Sequence, residues 1–287
     1  MPALIRAVPV ILLCGLVLSA CDIQVGDNGV SVDLAQGRMR DEWRRTYTIS
    51  PGGRLEIVNQ TGRIEVEPAS GPIVELLVER SVQGGSDEES RAILDQLQMT
   101  EEVSPARVKV EMKPPNDTEG RLFSRRGVLL RYRVRVPEGL TVVLRNGDGP
   151  IRLGDVKGRF EAATTNGGIT AEDISGSIKA TSVNGGVQIE MAAVAGDIEA
   201  AATNGGVRVR LPRGTKATLD ATSVNGGVSV DEDLGLQAAE TSRERVSGTL
   251  NGGGSKIVAS TVNGGVRINA GDSPDAREPD RRSRRSD

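Results

Sequence analysis

The segment TTNGGITAEDISGSIKATSVNGGVQIE, residues 164–190, contains the tripeptide Asn-Gly-Gly twice, and each copy is followed by an aliphatic residue, a spacer and a second apolar residue. Asparagine and glycine tolerate the backbone conformations of tight corners, which most other residues resist. Apolar and polar residues alternate on both sides of each corner, as is typical of short strands. The segment therefore predicts two consecutive strand–corner–strand units.

The same unit repeats over residues 138–270. Apolar residues stand six and four positions before most corner asparagines and three and five positions after them. An insertion around residues 231–254 interrupts the series and contains an imperfect extra copy at Asn251. A period near 20 residues predicts strands stacked as a β-solenoid, whose corner amides hydrogen-bond from unit to unit. The predicted corner residues are Asn146, Asn166, Asn184, Asn204, Asn225 and Asn263.

Residues 46–137 predict a mixed β-rich region with one short helix. Alternating segments flank a turn at 59–62, and further strands are predicted at 73–82, 106–112 and 128–136. Ser86 and Glu89 form a capping box, which predicts a helix from there to about residue 98. Ala92, Ile93 and Leu97 would share one face of that helix.

The N-terminus predicts export and lipid anchoring. Arg6 precedes an apolar run of signal-peptide length, which ends in Leu-Ser-Ala-Cys at residues 18–21. This ending resembles the lipobox of bacterial lipoproteins, which implies a signal peptide over 1–20 and acylation (palmitate among the chains) of Cys21. Residues 21–45 are predicted to be a tether, and the basic, proline-containing stretch 271–287 a disordered tail.

Composition excludes several functional classes. The chain has no histidine, which removes histidine-based triads and histidine metal sites. A net charge of −3 does not favour a nucleic-acid partner. We therefore predict no catalytic residue, no cofactor and no metal site. A weak calcium site remains an alternative at Asp231, Glu232 and Asp233, beside the insertion.

Two sets of outward side chains are candidates for contacts. Serine and threonine residues beside the corners are the predicted binding face: Thr164, Thr181, Ser182, Thr203, Thr222, Ser223, Ser260 and Thr261. They also suit solvent-exposed strands, so this interpretation stays open. A β-helix polysaccharide-degrading enzyme would instead need two carboxylates converging in a groove, drawn from Glu172, Asp173, Glu190 and Asp231.

With these motifs in view, the chain resembles a family of bacterial envelope proteins known as "putative adhesins" of unknown function. Val-Pro-Glu-Gly-Leu at 136–140 and the Ser-Gly and Asn-Gly corners within 175–187 carry the resemblance, which extends over roughly 46–270. It implies a mainly β fold, a right-handed parallel β-helix or similar solenoid, and it supplies no catalytic residue.

The sequence as a whole predicts a lipid-anchored, non-catalytic, adhesin-like or structural module of the cell envelope, on the periplasmic or surface side. The expected contacts are the membrane through the anchor, a glycan or an envelope protein, and a second copy end to end. An envelope-stress sensor remains an alternative, and the polysaccharide-degrading enzyme is a less favoured one.

Overall fold

The computed structural model describes residues 38–113 and 127–271. These residues are mainly strands, with one helix, α1 (Asp87–Gln96), and one short 3₁₀ turn at Glu232–Leu234. Cys21, the signal segment 1–20 and all but the first residue of the charged tail lie outside the described residues. No helix within the described ranges is long and apolar enough to span a membrane.

Nineteen strands occur in the described part of the chain. Those before the regular repeats are β1 (Arg38–Tyr47), β2 (Arg54–Thr61), β3 (Arg63–Pro68), β4 (Val74–Gln83), β5 (Gln98–Val103), β6 (Arg107–Lys113) and β7 (Leu129–Val136). Those of the repeats are β8 (Thr141–Asp148), β9 (Ile151–Gly154), β10 (Lys157–Asn166), β11 (Ile169–Asn184), β12 (Val187–Asn204), β13 (Val207–Pro212), β14 (Ala217–Asn225), β15 (Val228–Val230), β16 (Leu236–Thr241), β17 (Arg245–Leu250), β18 (Ser255–Asn263) and β19 (Val266–Gly271).

The strands before and after each corner belong to different sides of the fold. The side before the corners, called here the first face, has the strand order β5-β6-β2-β8-β10-β11-β12-β18-β14-β17-β16. The second face has the order β1-β4-β7-β3-β9-β11-β12-β13-β19-β15. Because β11 and β12 contribute to both faces, the sheet curls around a single core.

The core consists of aliphatic columns that run across the units. Phe160 aligns with Ile178, which aligns with Ile198, and all three are buried. The next inward column on the first face is largely alanine, with Ala180 and Ala200 fully buried. Small side chains at this second position let the two faces approach each other close to the corner, which explains the scarcity of aromatic residues.

The order of the units differs from the order of the sequence. The sequence alone suggested that the units at Asn204 and Asn225 are neighbours, but β18 and β19 lie between them. The inserted residues form a hairpin, β16–β17, that pairs antiparallel with β14 and covers that end of the first face. The insertion thus lets the last unit return and pair between two earlier ones.

The predicted division between residues 46–137 and 138–270 does not hold as a structural boundary. Strands β2 and β3 form a strand–corner–strand unit of their own, parallel and in register with β8 and β9. The predicted tether also ends earlier than residue 45, because residues 38–45 belong to β1, which pairs antiparallel with β4. The alternation of apolar and polar residues in β2 and β3 does not show whether these strands pair with each other or with strands of other units. The sequence therefore could not place them in the stack.

Helix α1 begins as its sequence predicts. The Ser86 hydroxyl accepts a hydrogen bond from the Glu89 amide at 3.2 Å, and the Glu89 carboxylate accepts one from the Gly85 amide at 2.9 Å. The acidic first turn also suits the positive end of the helix dipole. The helix buries Ile93, and Leu97 beyond its end is buried too, whereas Ala92 is exposed and does not belong to the predicted face.

Candidate binding surface at the glycine corners

Five of the six predicted corner asparagines form one continuous ladder. Each side-chain amide donates to the side-chain oxygen of the preceding unit: Asn184 to Asn166, Asn204 to Asn184, Asn263 to Asn204 and Asn225 to Asn263, at 2.7–2.9 Å. Asn166 donates to the Asp148 carboxylate at 2.5 Å. The ladder fixes the register of the units through side chains as well as through the backbone.

Asn146 is not a member of this ladder, which corrects the alignment made from sequence. Asn166 pairs with Asp148, and Asn146 pairs with Thr164, so the sequence alignment of this unit is wrong by two residues. Asn146 is buried and accepts a hydrogen bond from Asn59 at 2.8 Å. The extra copy at Asn251 is also outside the ladder, since its amide donates to the Thr215 and Leu234 carbonyls.

Hydroxyl side chains two residues before the ladder position of most units donate hydrogen bonds to the corner of the adjacent unit. Ser182 donates to the Gly167 carbonyl at 2.8 Å, Ser223 to the Gly264 carbonyl at 2.7 Å, and Thr164 and Thr261 make the equivalent bonds. These four residues are buried and point inward. They were predicted to be part of an outward binding face, and that prediction is wrong, because a corner carbonyl buried between units needs a donor.

One unit lacks this donor, so a substitution that supplies it should stabilise the protein. Ala202 occupies the position of Ser182 and Thr261, its neighbours on either side. Serine at 202 should donate to the Gly185 carbonyl, so we expect Ala202→Ser to raise the free energy of unfolding by about 0.5–1.5 kcal/mol in chemical denaturation. Ala200→Ser is the control: it puts a hydroxyl in the alanine column and should lower that free energy. A lower stability for Ala202→Ser would contradict the assignment.

The remaining residues of the predicted face stay outward. Thr181, Thr222 and Ser260 are half-buried on the first face, and Thr203 is exposed beside the ladder. Val183, Val224 and Val262 are exposed at the position that Thr203 occupies in its own unit. The outer surface at the corner is therefore a mixed threonine and valine ridge, and only part of the predicted polar face exists.

The two glycines of each corner have different roles. A Cβ atom built on Gly205, the first glycine, would lie 2.3 Å from the Gly185 carbonyl oxygen, a distance that no side chain can occupy. A Cβ on Gly206, the second glycine, would lie 3.4 Å from the Gly265 carbonyl oxygen. The position of the second glycine is Pro150 or Arg63 in two other units, so its backbone accepts other residues.

A shallow depression follows the second glycines on the second face. Its volume is about 360 Å³. Its floor and walls comprise Gly186, Gly206, Gly265, Ile169, Thr170, Val187, Gln188, Val207, Arg208 and Arg267. It runs across neighbouring units, perpendicular to the strands, because its glycines come from successive units.

Two pairs of outward charges on the repeats join adjacent units. Lys179 and Glu199 form an ion pair at 2.9 Å, and Arg210 and Glu190 form one at 2.8 Å, both between adjacent units. Each exposed pair contributes at most about 1 kcal/mol to stability.

The candidate carboxylates are spread over several units, on β11, on β12 and directly after β15. Glu190 pairs with Arg210, and Asp231 accepts hydrogen bonds from the backbone amides of Asp233 and Ala270. Asp233 pairs with Arg213 at 2.8 Å. None of the four carboxylates proposed for glycan cleavage lines the depression at the glycines. Within residues 38–113 and 127–271 no three acidic or cysteine side chains form a group suited to a metal ion.

Titratable groups with altered pKa values lie away from this depression. Burial raises the pKa of Tyr132, whose hydroxyl is enclosed in the core near the start of the stack. Burial also raises the pKa of Tyr47, and its hydrogen bond to Glu101 raises it further. On the surface, the Glu138 carboxylate raises the pKa of Lys157. These shifts belong to structural contacts.

Comparison with known proteins gives one family model and several solved structures. Residues 139–269 match a family model described as "Toastrack DUF4097". A Clostridium sporogenes structure described as a "putative cell adhesion protein" is 12% identical, with a TM-score of 0.44, over 80% of this chain and 100% of its own. A "putative adhesin" from Bacteroides fragilis is 10% identical with a TM-score of 0.28, over 80% and 97% of the two chains. A "putative lipid binding protein" from Parabacteroides distasonis is 13% identical with a TM-score of 0.27, over 80% and 96%. No curated protein matches the sequence.

Proposed function

We propose that this protein is a lipid-anchored, non-catalytic binding module of the cell envelope, adhesin-like in its use of a rigid repeat surface. The observation that carries the proposal is the in-register ladder of corner asparagines from Asp148 to Asn225. It holds the outward side chains of six units at a constant spacing of about 4.8 Å. A surface fixed in this way is preorganised for a ligand that extends over several units.

The path of the chain is the finer part of this proposal. Each unit passes from the second face back to the first face of the next unit, as β11 and β12 do within single strands. Parallel strands joined by a crossover are right-handed in nearly all proteins. We therefore propose a right-handed parallel solenoid, with β16–β17 covering one end of the first face.

The anchoring part rests on the sequence before the described residues. Acylation of Cys21 would attach two or more chains and give stable membrane binding, which a single chain does not. The first strand, β1, begins at Arg38, so the segment between Cys21 and β1 is long enough to hold the body away from the bilayer surface. The anchor places the repeat surface in the envelope, where glycans and proteins are the available partners.

The proposal is tested by comparing the wild-type chain with a Cys21→Ser variant in membrane fractionation, and by measuring whether the variant binds envelope material. The wild-type chain should be recovered in the membrane fraction with acyl chains on Cys21, and the Cys21→Ser chain in the aqueous fraction. The aqueous full-length variant should then co-sediment with isolated envelope material and leave its polysaccharides intact. Recovery of the wild-type and Cys21→Ser chains in the same fraction would contradict the anchoring half. Absence of envelope binding, or cleavage of envelope polysaccharide, would contradict the binding half.

A further inference from the structure

We infer that the depression over the second glycines is a binding groove for an anionic glycan, with Arg208 and Arg267 as its charged contacts. The inference rests on the proposed function and specifies the chemical class of its ligand. The structural basis is a pair of unneutralised arginines beside a concave surface that runs along the stack.

The two arginines lie next to each other on the same face. Arg208 of β13 pairs in register with Arg267 of β19, and both side chains are exposed and line the depression. Neighbouring parallel strands are about 4.8 Å apart, so the two side chains leave the backbone side by side. Like charges placed directly opposite each other destabilise a sheet.

These arginines differ from two other arginines on the second face. Arg210, two residues away, pairs with Glu190, and Arg135 of β7 pairs with Glu75 at 3.2 Å. Within the described part of the chain, neither Arg208 nor Arg267 makes an ion pair or a side-chain hydrogen bond. Their repulsion is therefore uncompensated in the free protein, and a bound anion would relieve it.

The floor of the groove is open because the second glycines carry no side chain. In the units where this position is Pro150 or Arg63 the same space is occupied, and neither residue lines the depression. Glycine there is not required by the backbone, as the 3.4 Å clearance at Gly206 shows. The open floor coincides with the unpaired arginines, which links the shape of the groove to its charge.

The shape favours a chain-like ligand over a flat surface. The groove crosses successive units, and Thr170 and Gln188 continue the row of Arg208 and Arg267 with uncharged polar groups. A volume of about 360 Å³ is at the lower end of the range for small-ligand sites, about 300–1,000 Å³. Carboxylates on a sugar chain would meet the arginines as charge-assisted hydrogen bonds, while hydroxyl groups meet the polar side chains.

The test uses the full-length Cys21→Ser chain and three defined probes: polygalacturonate, neutral dextran and vesicles of phosphatidylglycerol. We expect binding to polygalacturonate at least tenfold tighter than to dextran, and weaker as salt rises. The double variant Arg208→Gln/Arg267→Gln should lose at least tenfold in affinity. Arg159→Gln, which removes an exposed positive charge from the first face, should stay within twofold.

A second variant separates groove shape from charge and guards against misfolding. Gly206→Ala keeps both arginines and adds a methyl group to the floor, so affinity should fall about threefold. Gly154→Ala adds a methyl group outside the groove and should have no effect on binding. The double arginine variant should be at least as thermally stable as the parent, because it removes a repulsion.

Equal affinity for polygalacturonate and dextran, or no loss in the double variant, would overturn the inference. So would binding to the vesicles with none to polygalacturonate, since that result indicates a lipid surface. If envelope material retains the parent chain and the double variant equally, the groove assignment fails and the proposed function stands. If it retains neither, the proposed function itself fails.

Discussion

Gly205→Ala is expected to lower the free energy of unfolding by about 3 kcal/mol or more. Its new Cβ atom would lie 2.3 Å from the Gly185 carbonyl oxygen and 2.8 Å from the Gly186 amide nitrogen. Both contacts are with backbone of the adjacent unit, so no side-chain rotation relieves them. The two units must separate at this corner, which also weakens the hydrogen bond from the Gly185 amide to the Asn204 carbonyl and the ladder bond from Asn204 to Asn184.

The neighbouring glycine provides the matched control. Gly206→Ala places its Cβ atom 3.4 Å from the Gly265 carbonyl oxygen, so a shift of a few tenths of an ångström suffices. We expect its free energy of unfolding to remain within about 1 kcal/mol of the parent value. Chemical denaturation followed by circular dichroism measures both variants. Similar losses for the two substitutions would mean that the corner is not packed as described.

Much of the repeat could be predicted from the sequence because its signals are local. Alternation over four or five residues defines a strand, and Asn-Gly-Gly defines a corner, without any knowledge of distant contacts. The Ser86 and Glu89 capping pattern is local in the same way, and the helix begins where it indicates. The amide ladder could also be anticipated, since equivalent residues of stacked units must lie above one another.

What the sequence did not show depends on contacts between distant segments. The placement of Asn263 between Asn204 and Asn225 requires pairing across the insertion, which no local pattern encodes. The inward direction of Ser182 and Thr261 was missed because serine and threonine are common at exposed strand positions. Their spacing was an available signal, since both lie two residues before a corner asparagine and continue the alternation of the inward residues Ala180 and Ala259.

The candidate groove was missed for a related reason. In the sequence, Arg208 and Arg267 are 59 positions apart, and each alternates normally with apolar neighbours. Only the return of the last unit makes them adjacent. The different roles of the two glycines were also missed, because the tripeptide Asn-Gly-Gly does not reveal how much space surrounds each Cβ position.

The central claim is that the units stack in register and that the unit at Asn263 lies between those at Asn204 and Asn225. Pairs of engineered cysteines test this order. The register places Thr203 opposite Val262, and Val262 opposite Val224, at exposed positions beside the ladder. Neighbouring strands are about 4.8 Å apart, within the Cα separation of a disulfide, whereas units two apart are separated by about twice that distance.

In a background with Cys14 and Cys21 replaced by serine, mild oxidation should crosslink Thr203→Cys/Val262→Cys nearly completely within one chain. Val262→Cys/Val224→Cys should also crosslink, and Thr203→Cys/Val224→Cys should not. Non-reducing electrophoresis and peptide mass spectrometry report each outcome. Efficient crosslinking of 203 to 224, with none of 203 to 262, would show that the units stack in sequence order and would contradict the structure described.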